Sequence, residues 1–132
     1  MKLKVLNKKV DAFNLQELLV VMVIIGILVL IAMPNLMKNV TKAKATEARL
    51  QLTHLHSLQE GYFYTNSKYS NNFNDIDFEP PAKDAYYSYE ITEASNSTFK
   101  ARAIANTDFD GDGTLNVWEI DQEKNLKEVT KD

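Results

Sequence analysis

The sequence predicts an α+β fold in which one long, kinked N-terminal helix packs against a three- or four-stranded antiparallel sheet. Three observations carry that expectation. Residues 12–34 read AFNLQELLVVMVIIGILVLIAMP, an apolar run long enough to cross a bilayer as a helix. Residues 35–64 keep helical spacing, with neither Pro nor, before Gly61, any Gly. Beyond residue 85, short runs rich in Tyr, Val, Ile and Phe are separated by turn residues, the pattern of strands. At 132 residues the chain is one domain's worth, split into an apolar third and a polar remainder.

The first half of the helix, 13–34, contains sixteen uninterrupted apolar or glycine residues from Leu18 to Met33. Phe13 to Met33 would reach about 31 Å at 1.5 Å per residue, close to the thickness of a hydrocarbon core. One carboxylate, Glu17, stands near its start. An ionisable group costs about 2.5–3.5 kcal/mol at a bilayer centre, so its presence signals function and calls for a positive partner. An N-terminal amine at Phe13, created by cutting after Ala12, would supply that charge. Residues 1–12 carry Lys2, Lys4, Lys8 and Lys9 against Asp11, which favours a cytoplasmic location for this end. Losing this stretch of charge +3 takes the formal charge from −3 to −6. No A-x-A pattern closes the apolar run, unlike a secretory signal peptide. An ordinary signal-anchored, single-pass protein is the simpler alternative.

Pro34 removes one backbone hydrogen bond, to the Leu30 carbonyl, and crowds that turn. A kink or a locally extended stretch is therefore expected between Gly26 and Pro34. From Asn35 to about Tyr64, Leu36, Val40, Ala43, Ala48, Leu52, Leu55, Leu58 and Tyr62 recur at three to five residues, which predicts one buried stripe. Lys38, Lys42, Lys44, Glu47, Arg49, Gln51 and Gln59 fall on the other faces. Residues 66–81, NSKYSNNFNDIDFEPP, read as a surface loop. Strands are expected at 85–92, 98–105 and 115–121, with a candidate fourth at 126–130. Such a fold buries a small core and should be modestly stable. The chain has no cysteine, so no disulfide can tie it.

The start of the chain resembles the class III signal of type IV pilins and type II secretion pseudopilins. The family pattern is roughly G|FTLIELLVV, and here it stands as Ala12|Phe13-Asn14-Leu15-Gln16-Glu17-Leu18-Leu19-Val20-Val21. Ala12 replaces Gly, small for small, and Asn14 and Gln16 replace Thr and Ile. Phe13, Glu17 and Pro34 each stand in the family's register. The run Leu58-Gln59-Glu60-Gly61-Tyr62-Phe63 also looks like the family's helix end. The resemblance implies the pilin fold, with 1–12 as a cleaved leader, 13–34 as a transmembrane and filament-core helix, and 35–132 as a globular domain outside the cytoplasm. It implies cleavage between Ala12 and Phe13 by a prepilin peptidase, which also methylates Phe13. It implies an inner-membrane precursor, a helical homopolymer with apolar helices in its core, and an assembly platform with a separate ATPase motor. The segment before Pro34 can melt in filaments of this family. Glu17 has these roles open to it: pairing with the Phe13 amine of the adjacent subunit, satisfying only its own N-terminus, or serving as a peptidase-independent docking group.

A second chemical signal is DFDGDGTLNVWE, residues 108–119. Asp108, Asp110 and Asp112 hold positions one, three and five of a calcium-loop pattern. Gly113 is at six, Thr114 offers a carbonyl, Leu115 is the apolar eighth, Asn116 is at nine and Glu119 at twelve. Helices should flank such a loop in an EF-hand, whereas strand-like residues flank it here. If 115–121 is extended, Glu119 shares a face with Leu115 and Val117, which puts its reach to the metal in question. The alternative is an Asp/Gly-rich turn, solvated and metal-free. Many pilins close this region with a disulfide, some cysteine-free relatives carry a DGDGT-like turn, and pseudopilins bind calcium nearby. A structural Ca²⁺ is thus the expected cofactor.

The remaining residues exclude more than they suggest. His54 and His56 lie two apart on a helix and do not form a metal pair; both read as exposed or partner-facing. The tyrosines read as packing. No nucleophile–base pair and no phosphate-binding glycine loop is present, so an enzyme is not expected. An acidic mature chain with no basic stripe argues against direct nucleic-acid binding. The reading is a structural subunit of a type IV pilus supporting adhesion or motility. The alternatives are a type II secretion pseudopilin driving protein export and, remotely, a membrane-anchored calcium-binding module.

Overall fold

The computed structural model describes residues 12–82 and 84–132. The expected leader, residues 1–12, lies outside them apart from Ala12. Helix α1 runs Leu15–Asn66, 52 residues. The helix runs unbroken through Pro34, so of the kink or locally extended stretch expected between Gly26 and Pro34 the extended stretch does not occur. A proline deletes a single N–H, and the flanking Ala32, Met33, Leu36 and Met37 are good helix formers.

Close contacts divide the chain after Asn35. In the first unit every described residue is exposed, including the whole apolar face from Leu18 to Met33. Its helix is long and apolar enough to cross a membrane.

The second unit, Leu36–Asp132, holds the rest of α1 and four strands: β1 (Tyr87–Ala94), β2 (Phe99–Ala105), β3 (Val117–Asp121) and β4 (Leu126–Thr130). They form one antiparallel meander in chain order. Residues of β2 alternate as expected, with Phe99, Ala101, Ala103 and Ala105 buried. The core joins these to Ala48, Leu52 and Leu55 of α1, Tyr87 and Tyr89 of β1, and Ile120 of β3. Small and large side chains mix, as close packing requires.

Three expectations about burial need correction. The helix stripe begins at Ala45, not at Leu36, Val40 and Ala43, which are exposed. His56 and Gln59 are buried, because each finds a distant partner. The ring of His56 lies 3.2 Å from the Gln122 carbonyl. Gln59 donates to the Ser70 carbonyl at 2.6 Å and accepts from its N–H at 3.0 Å, so one side chain satisfies both backbone groups. Residues 66–81 are also more than a surface loop. A 3₁₀ turn at Phe73–Ile76, capped by Asn72 and closed by Asp77 at φ 53°, delivers Ile76 and Phe78 into the core.

Candidate functional site

Two places hold the residues expected to carry function, one in each unit. At the start of α1, Ala12, Phe13 and Asn14 precede the first helical turn and are exposed. The bond between Ala12 and Phe13 therefore lies in accessible, non-helical chain. Asn14 is the helix cap. Its side-chain oxygen accepts from the Glu17 N–H at 2.8 Å, and its own N–H reaches Glu17 Oε2 at 3.4 Å. This reciprocal pair is a capping box, with Asn in place of the usual Ser or Thr. The Glu17 carboxylate is thus held over the helix N-terminus, where the helix dipole favours negative charge.

The acidic loop joins β2 to β3. Gly111 and Gly113 have φ of 83° and 89°, and these left-handed turns fold the loop on itself. Asp108 accepts from the N–H groups of Gly111 (2.7 Å) and Gly113 (2.6 Å). Asp110 accepts from Asp112 N–H at 3.0 Å, and Asp112 from Thr114 N–H at 2.7 Å. Asp132, beyond β4, accepts from Phe109 N–H (2.7 Å) and Asp110 N–H (3.0 Å). One carboxylate oxygen each from Asp108, Asp110, Asp112 and Asp132 lies within 4.8 Å of the others.

The charges in this cluster respond to it. The Gly113 N–H, with other loop amides, holds the Asp108 carboxyl below its ordinary range against the opposing effect of desolvation. Asp110 is shifted up instead. The Asp112 N–H lowers it, but desolvation and the carboxylates of Asp112 and Asp132 outweigh that bond. Four hard oxygens crowded in this way suit a divalent cation of the calcium type.

Two expected ligands belong elsewhere. Glu119 lies in β3, directly across from Arg102 of β2 and Lys127 of β4. Arg102 Nε donates to its Oε2 at 2.8 Å, and Lys127 Nζ stands 3.8 Å from Oε1. With Glu90 opposite Arg102 in β1, the row Glu90–Arg102–Glu119–Lys127 alternates charge across the sheet. Strand geometry, rather than a helical turn, thus takes Glu119 out of the loop.

Asn116 is fully buried, and its side chain is spent on structure. Its oxygen accepts from Tyr87 OH at 2.6 Å and Trp118 Nε1 at 2.7 Å. Its nitrogen donates to Glu128 at 2.7 Å and to the Thr130 carbonyl at 3.0 Å. The indole can only donate, which fixes the orientation of the amide. Burial, then Glu128, Asp132 and Glu47, push the Tyr87 phenol up, so it stays a protonated donor. Thr114 is exposed, with its hydroxyl on Asp112, and Leu115 is exposed rather than buried.

Phe109 was not singled out by its sequence context. Its buried ring meets Tyr87 edge-on at 5.7 Å and lies 4.5 Å from Lys44 Nζ on α1. The acidic loop is therefore pinned to both the sheet and the helix.

These features define an α+β protein whose helix begins with a span long and apolar enough for a membrane. Residues 34–115 match a family model described as "Type IV minor pilin ComP, DNA uptake sequence receptor". The chain is also 35% identical over 95 residues to the "Type IV major pilin protein PilA" of Myxococcus xanthus (strain DK1622). That alignment covers 72% of this chain and 43% of the relative, so the chain spans less than half the relative's length. The chain belongs to the type IV pilin family.

Proposed function

We propose that this protein is a structural subunit of a type IV pilus. The observation that carries the reading is the exposed apolar half of α1, which leaves Leu18 to Met33 uncovered among the described residues. A bilayer covers that surface before assembly, and the same segments of neighbouring subunits cover it in a filament. A prepilin peptidase cuts between Ala12 and Phe13 and methylates the new amine. Glu17 then pairs with the Phe13 amine of the adjacent subunit, so both charges enter an apolar core compensated. Head-to-tail association of this kind does not close and yields a helical homopolymer. Extension is driven from an inner-membrane platform by a separate ATPase, and the filament serves adhesion or motility. Fibres sheared from cells should contain this chain with Phe13 as its first residue; a chain found only in cell bodies with an intact leader would overturn the reading.

Secretion as a pseudopilin has less support, since both comparisons fall on type IV pilins. DNA reception, named in the family description, is not extended to this chain. Its formal charge is negative, and Arg102 and Lys127 on the sheet are already matched to Glu119.

The acidic loop supports a structural Ca²⁺ held by Asp108, Asp110, Asp112 and Asp132. Its convergent, oxygen-only donor set favours that reading over a solvated turn. Calorimetric titration of the purified protein with calcium, with Asp132→Asn as control, tests it; no binding heat would refute it.

A further inference from the structure

We infer that Asn96 is an acceptor site for an N-linked glycan. Asn96-Ser97-Thr98 is an N-x-S/T sequence, the local requirement for transfer to an asparagine amide. It forms the turn between β1 and β2, closed by Ser95 N–H on the Thr98 carbonyl at 2.9 Å. The side chains of Ser95 and Thr98 hold that turn together. Ser95 Oγ accepts from the N–H groups of Ser97 (3.2 Å) and Thr98 (2.9 Å), and Thr98 Oγ1 donates to Glu93 at 2.6 Å. Asn96 takes no part in this network. Its side chain is exposed and makes no hydrogen bond among the described residues.

The chain offers a second such sequence, and its setting makes the contrast. Asn39-Val40-Thr41 lies within α1, five residues past Pro34. An enzyme would have to unwind a helix to draw that asparagine into an extended or turned conformation. At Asn96 the backbone already turns, and no core contact is lost when a bulky group is attached. Within the second unit this turn sits by the end of α1, where Tyr69 N–H bonds the Ser95 carbonyl at 2.9 Å. Phe109 and the acidic loop instead meet α1 at Lys44, nearer its apolar half. The donor is a lipid-linked sugar phosphate. Asn96 Nδ2 attacks the anomeric carbon, an N–C bond forms as the C–O bond to phosphate breaks, the lipid phosphate leaves, and Nδ2 loses one proton.

The inference rests on the reading that this domain lies outside the cytoplasm. The test is mass spectrometry of the tryptic peptide Asp84–Lys100 from sheared fibres of the producing cells. A sugar mass on that peptide, absent in Asn96→Gln and in Thr98→Ala but retained in Asn39→Gln, is expected. An unmodified peptide in those fibres overturns the inference while leaving the pilus assignment standing. A sugar that persists in Asn96→Gln also overturns it, because the attachment would then be to a hydroxyl.

Discussion

Asn14 and Glu17 cap each other at the first turn of α1: the amide oxygen of one takes the N–H of the other at 2.8 Å, and the carboxylate reaches back at 3.4 Å. This capping role and an intersubunit pairing of Glu17 are compatible in sequence. In the free subunit the carboxylate has a local partner. In the proposed assembly the Asn14 oxygen would keep the Glu17 N–H satisfied while the carboxylate exchanged a weak, long bond for an amine.

Replacing Asn14 with Ala should remove the cap and cost the helix start about 1 kcal/mol, whereas Asn14→Thr should cost little. Amide exchange of Leu15 to Leu18 in detergent micelles would show faster opening for the Ala variant alone.

Asn116→Ala should be the more damaging change. It leaves a buried phenol, an indole N–H and a half-buried carboxylate short of partners, a loss of roughly 3 kcal/mol. Denaturant unfolding measures it directly. A cost under 1 kcal/mol would mean that other contacts hold the acidic loop on the sheet.

Glu119 and Asp132 should separate in their effects. Glu119→Gln weakens the charge-assisted bond to Arg102, at about 2 kcal/mol, and leaves calcium affinity unchanged. Asp132→Asn should lower that affinity roughly tenfold by removing a charged donor. For the wild type, calcium at about 100 times its dissociation constant should add about 2.7 kcal/mol of stability, which chelation removes.

Acid should act partly through Asp121, which closes the turn from β3 to β4. Desolvation opposes ionisation there, but hydrogen bonds from the Asn125 backbone and side chain and from Glu123 N–H win, and its pKa is lowered. Its contribution is complete above the ordinary carboxylate pKa and is lost as pH falls through the lowered value. Solvent exposure limits it to less than about 1 kcal/mol. Unfolding curves of wild type and Asp121→Asn should differ at pH 6 and converge in strong acid.

Much of this was legible in local patterns. The apolar half of α1, the alternation of Phe99 to Ala105 and the strand at Leu126–Thr130 follow from periodicity alone. What escaped depends on residues far apart in sequence. His56 meets Gln122 across 66 positions, and Gln59 finds Ser70 only after the chain turns back. Asp132 joins the acidic loop because Thr130 pairs with Val117, bringing the segment after β4 beside the loop. That pairing was implicit in the expected hairpin of β3 and β4. The calcium-loop spacing instead pointed to Glu119, a position that serves only when a helix follows.

The most direct test of the account is the fate of Glu17→Gln in cells. The variant should accumulate in membranes with Phe13 as its first residue, correctly processed, and be missing from sheared fibres. Fibres carrying the variant at wild-type abundance would contradict the charge pair at the centre of the proposed assembly.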